Sequence, residues 1–142
     1  MATTIGYLFG ITLTSTYIYM AFISRTMSEK RYKFRIIISG VNLVFALILG
    51  YLQIFEKPFG FSVLCGFAPF IYLGYYEILR RLMRHWIGDY PYAAQWEKNG
   101  DKVRAKGYPK NRYVVPNDRI FGFLMFMVPF LTIIIIIIMI DK

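Results

Sequence analysis

The stretch IFGFLMFMVPFLTIIIIIIMI, residues 120–140, carries no charged side chain and includes an unbroken isoleucine run from Ile133 to Ile138. About 20 apolar residues in a helix match the hydrocarbon core of a bilayer, about 30 Å thick. Such a helix has no polar side to turn toward water, so a surface helix of a soluble domain is excluded. Continuous isoleucine suits lipid, and this stretch sets the class of the whole chain.

Three further blocks read the same way: 4–23, 36–55 and 61–79. Together the four blocks take up more than half of the 142 residues. The composition agrees, with 57% hydrophobic residues and a mean hydropathy of +0.46, against roughly 45–50% in an ordinary soluble domain. The expected fold is an all-α integral membrane protein of four transmembrane helices, forming one membrane domain over 1–142. Between the second and third blocks, Glu56-Lys57-Pro58-Phe59-Gly60 provides the turn of a helical hairpin. Before the fourth, Asn117 or Asp118 is placed to cap the helix.

The net charge of +9 raises nucleic acid as a partner, but the distribution of charge argues against it. Of 17 Lys and Arg, five fall in 25–35 and ten in 80–119, each cluster adjoining a hydrophobic block. The turn between the second and third blocks is neutral. In a four-helix chain the two basic segments share a side, so the positive-inside rule places 24–35 and 80–119 in the cytoplasm and both termini outside. The first block lacks a basic segment before it and has one after it, the reverse of a secretory signal, so it is expected to be retained. Short blocks without a targeting peptide fit a bacterial inner membrane, with anionic lipid at its cytoplasmic face.

Residues 77–87 carry a second pattern. Ile78, Leu79, Leu82, Met83, Trp86 and Ile87 recur at helical spacing, and Glu77, Arg80, Arg81, Arg84 and His85 fill the remaining positions. The third helix is therefore expected to run on into a cytoplasmic amphipathic helix, with Arg80, Arg81, Arg84 and Trp86 at the headgroups. Farther on, Asn99-Gly100 between polar flanks signals a tight turn.

Few residues suggest chemistry. Glu77 is the one acid within reach of a hydrophobic block, a possible polar or ion site, yet it sits one turn from Arg80 and Arg81 and can pair within its helix. Asn42 and Gln53 fall inside the second block, where a buried amide needs a partner, and Pro69 and Pro129 interrupt the third and fourth. Gly6, Gly10 and Thr14 share one face of the first helix at four-residue spacing, and Ala46 and Gly50 repeat the pattern on the second. Small residues so spaced let helices approach closely, either within the bundle or against a partner. Cys65 and His85 each stand alone in the composition, so no disulfide within the chain and no cysteine-histidine metal cluster is available. No catalytic, cofactor or metal-ligand motif is recognisable.

The reading is a small polytopic protein serving as a non-catalytic subunit or accessory of a larger membrane complex, its partner another membrane protein or a second copy. Two alternatives stand beside it. A small channel or transporter subunit would use the hydroxyls of the first helix with Asn42 and Gln53. A lipid-headgroup-modifying enzyme would use Arg80, Arg81, Arg84 and His85.

Overall fold

A computed structural model describes residues 15–20, 29–54, 59–87, 91–94, 98–102 and 113–140. Its helices are α1 (Glu29–Tyr51), α2 (Phe59–Leu82), the single turn α3 (Arg84–Ile87) and α4 (Pro116–Ile140). Three of them are long and apolar enough to cross a membrane: α1 from Lys30, α2 and α4. Residues 15–20, inside the first expected span, are helical with a wider turn at 19–20, and the remainder of that span lies outside the described residues. Apart from one isolated antiparallel bridge between Lys102 and Tyr113, the described residues form no β-structure.

The helices overrun the hydrophobic blocks because hydrogen bonding, not hydropathy, decides where a helix stops. α1 begins two turns before Ile36, so Lys30, Arg31, Lys33 and Arg35 are helical. At its other end α1 stops at Tyr51 instead of continuing to residue 55. Gln53 adopts φ 51°, its N–H donates to the Gly50 carbonyl at 3.2 Å, and Ile54 N–H donates to the Leu49 carbonyl at 3.2 Å. This is a Schellman ending with glutamine where glycine is usual, and Ile54 packs back on the cluster holding Leu49. Gln53 is thus an exposed cap residue and not an amide inside the span.

α2 is the centre of the bundle and packs against both α1 and α4. Its contact with α1 is built from small residues. Ala46 is 0% exposed, and a Cβ added at Gly66 would overlap the Ala46 methyl and lie 3.2 Å from the Leu43 Cα. One turn on, a Cβ added at Gly50 would lie 2.9–3.1 Å from the Phe59 ring and the Ser62 Cβ. Ser62 Oγ donates to the Ala46 carbonyl at 2.7 Å across the seam. The contact with α4 is aromatic and hydroxylic: Tyr76 meets Phe121 edge to face at 6.0 Å, and Tyr75 bonds Thr132 at 2.8 Å. Thr132 gives its own hydrogen to the Val128 carbonyl, which makes Tyr75 the donor.

Asp118 organises the start of α4. Pro116 takes the first helical position, where its missing N–H is no loss. Asp118, two positions on, reaches back to accept the Val115 N–H at 3.0 Å, as the acid of a capping box does. Its other oxygen accepts the Tyr92 N–H at 3.3 Å, which pins the segment 91–94 against the helix. That segment is buried, and it crosses α4 directly over Gly122.

The tight turn expected at Asn99-Gly100 forms. Lys98 C=O accepts the Asp101 N–H at 3.0 Å and Gly100 has φ +87°, while Asn99 keeps a negative φ. One positive φ at the third position makes a type II turn, whose twist does not suit a two-residue hairpin. The 98–102 segment pairs instead with 113–114, through Gly100 N–H to Val114 O at 2.9 Å and Val114 N–H to Asp101 O at 2.8 Å.

Candidate functional site

The charged residues of the described bundle gather at one end, where α1 begins and α2 finishes. Glu77 accepts from Arg80 Nη2 at 3.1 Å and meets Arg81 Nε at 3.5 Å. Tyr32 of α1 is a further hydrogen-bonding neighbour of that carboxylate. Glu77 is therefore held by its own helix and by α1, as pairing within the helix would require. Close by, Arg35 is 3% exposed, with Tyr72, Tyr19 and Tyr76 around it as electrostatic neighbours. Nothing in the sequence pattern marked Arg35 as buried, because the helix start expected at Ile36 left it in a loop.

Tyr72 and Tyr76 sit in the main apolar cluster with Met20, Leu79, Met83, Phe121 and Met125. Tyr17 stands edge-on to Tyr72 at 6.0 Å, and Tyr32 lies 5.8 Å from Tyr76. Among the described residues the buried Tyr76 hydroxyl has no hydrogen-bond partner, a rare state for a buried polar atom.

The 77–87 pattern resolves into two faces. Leu79 and Met83 point into the core, whereas Ile78, Leu82 and Trp86, also four apart, point outward. The helix breaks at Met83: the Met83 N–H still reaches Leu79 O, but Trp86 N–H bonds only three residues back, to Met83 O. Arg81, Arg84, His85 and Trp86 are all exposed, and Asn117 Nδ2 lies 3.5 Å from the Trp86 carbonyl, joining α3 to the start of α4.

Of the other candidate residues, Asn42 lies between two helices, with its amide 3.4 Å from the Gly66 carbonyl and its oxygen 3.4 Å from Thr16 Oγ1. Ala46 and Gly50 face α2. Gly6, Gly10 and Thr14 lie outside the described residues. Pro69 and Pro129 are buried inside α2 and α4. Sequence reasoning passed over Ser62 and Gly66, at the close contact of α2 with α1, and Gly122, at the close contact of α4 with the 91–94 segment. The four-residue spacing of Ser62 and Gly66 carried the same small-residue signal that singled out Ala46 and Gly50.

On the opposite face of α2 from the core, α2 and α4 enclose an apolar groove of about 530 Å³. Gly60, Phe67, Gly74 and Ile78 line one wall, and Thr132 and Ile140 belong to the other. Among the described residues no group of three His, Cys, Asp or Glu side chains is placed to hold a metal ion. No protein-family model, curated protein or solved structure matches this chain.

Proposed function

We propose that this protein is a non-catalytic subunit or accessory of a larger assembly in a bacterial inner membrane. It crosses the bilayer four times, with both termini outside and the basic segments 24–35 and 80–119 in the cytoplasm. The observation that carries the reading is the outward face of α1. Ile36, Phe45 and Leu47 are exposed there too, and along the middle of this face Phe34, Ile37, Val41, Val44, Ile48 and Tyr51, all exposed, follow one another at alternating spacings of three and four. That is the repeat of a left-handed helix pair, and branched side chains occupy its middle four positions. The stripe runs about 25 Å along the helix, most of a bilayer's apolar depth. Beside it, Gly40 has nothing within 4 Å of where a Cβ would stand, an open place for a close-approaching backbone.

The polar groups support the same reading, since Glu77, Asp118, Ser62 and Asn42 hold the bundle together. A photo-crosslinker at Val41 in native membranes tests it. A discrete protein adduct is expected, whose mass separates a second copy from another subunit. Labelling of lipid alone would overturn the proposal. For topology, a cysteine placed in 56–60 is expected to react with an impermeant thiol reagent in intact cells, and one in 95–112 to be protected.

A further inference from the structure

We propose that the groove between α2 and α4, with Arg81 at its basic end, is a binding site for one anionic phospholipid. An acyl chain lies along the groove, and the phosphate meets the guanidinium of Arg81. This goes beyond the subunit reading, whose partner surface is on α1.

The dimensions select the occupant. From Gly60 to Ile78 the groove spans eighteen helical steps of about 1.5 Å, or about 27 Å. A volume of about 530 Å³ open to the centres of water-sized molecules over that length leaves a channel about 8 Å between its walls. One extended hydrocarbon chain fits this width, whereas an α-helix with its side chains is about 10–12 Å across. The hydroxyls at the wall add no demand for a polar partner, because Tyr75 bonds Thr132 and Thr132 bonds the Val128 carbonyl.

Charge selects the headgroup. Arg81 follows Ile78 by three positions and Leu82 follows it by four, so both extend the groove-lining face by one turn. Arg81 has a side chain 79% exposed and meets Glu77 through Nε at a long 3.5 Å, while Arg80 holds the same carboxylate oxygen at 3.1 Å. The remaining guanidinium donors belong to this mostly exposed side chain and form the planar fork that suits phosphate oxygens. Exposed Leu82 and Trp86 continue the apolar edge toward the interface, the level at which tryptophan settles.

Gly74 supplies the test, because it lines the groove and nothing lies within 4 Å of its Cβ position. The purified full-length chain in detergent is titrated with phosphatidylglycerol and, separately, with phosphatidylcholine of the same chains, and bound lipid is counted by native mass spectrometry. The first phosphatidylglycerol is expected to bind about fivefold tighter than phosphatidylcholine, the effect of one arginine near the phosphate. Arg81→Ala is expected to abolish that preference, weakening phosphatidylglycerol more than phosphatidylcholine, whose phosphate loses the same contact but whose choline cation already opposed it. Gly74→Leu is expected to weaken both lipids at an unchanged melting temperature. Ile136→Phe, filling the groove from the other wall, is expected to do the same and guards against misfolding of either variant alone. Three results would each overturn the site: no preference in the parent protein, a preference surviving Arg81→Ala, or unaltered binding in both groove-filling variants. A changed oligomeric mass in the groove-filling variants, with lipid binding intact, would assign the groove to a protein helix instead.

Discussion

Gly122→Ala adds one methyl group where α4 passes beneath the 91–94 segment. The new Cβ would overlap the Ala94 carbonyl oxygen and lie 3.0 Å from Ala94 N and 3.1 Å from Ala93 C. All three are backbone atoms, so no side-chain rotation relieves the clash and the segment itself must move. Movement strains the bond from the Tyr92 N–H to Asp118, about 1.5–3 kcal/mol for a charged acceptor, and overpacking adds about 1–3 kcal/mol. Against this, alanine is about 1 kcal/mol better than glycine inside a helix. The net expectation is a loss of about 1.5–5 kcal/mol. Two measurements check it: thermal unfolding in detergent, and thiol labelling of Ala93→Cys in a Cys65→Ser background. Labelling is expected to be slow in the parent and fast once Gly122 is replaced. Gly74→Ala is the control, because its Cβ meets nothing within 4 Å, so stability is expected to stay level or rise by up to about 1 kcal/mol. A Gly122→Ala protein as stable as its parent, with residue 93 still protected, would refute the placement of the segment on α4.

At the α1–α2 seam, Gly66→Ala is expected to destabilise by about 1–2 kcal/mol in equilibrium unfolding. The exchange Ala46→Gly with Gly66→Ala, which moves the methyl from one helix to the other, is expected to recover most of that loss. Asp118→Asn leaves one acceptor oxygen for two backbone N–H groups, and a loss of about 1–3 kcal/mol in the same assay is expected. Gln53→Gly relieves a left-handed conformation at an exposed cap and is expected to raise stability by about 0.5–1 kcal/mol. A lower melting temperature would argue against the Schellman ending.

The three described spans were legible because uninterrupted apolar length is a one-dimensional property. Ile133 to Ile138 needs no partner to be recognised. The 77–87 pattern was legible only in part, since a helical spacing records which residues share a side and not how many sides are covered. Leu79 and Met83 enter a core whose other members, Phe121 and Met125, are forty residues away. No local window reveals that their neighbours Ile78 and Leu82 stay outside. Arg35 was hidden for a similar reason: its charge placed it in a loop, while the tyrosines that enclose it come from α2 and from residues 15–20. Asp118 was readable as a cap through Pro116-Asn117-Asp118, but its second bond, to Tyr92, joins segments 26 residues apart.

Burial and hydropathy run in opposite directions along this chain, and that inversion explains the arrangement of the bundle. α4 is the most hydropathic of the three spans and buries 11% of its window, whereas α2 is the least hydropathic and buries 50%; α1 falls between them on both counts, at 33%. In water the most apolar helix would be the most enclosed. In a bilayer the lipid is as apolar as leucine, so hydrophobicity gives no reason for one helix to seek another. Association depends instead on close approach and on interhelical hydrogen bonds. α2 carries the groups for both: Ser62 and Gly66 toward α1, and Tyr75 and Tyr76 toward α4. The polar and small residues that make α2 the poorest membrane span are therefore the ones that make it the centre. By the same logic, the outward side of α1 is informative through its regular spacing and not through its apolarity, which lipid alone would explain.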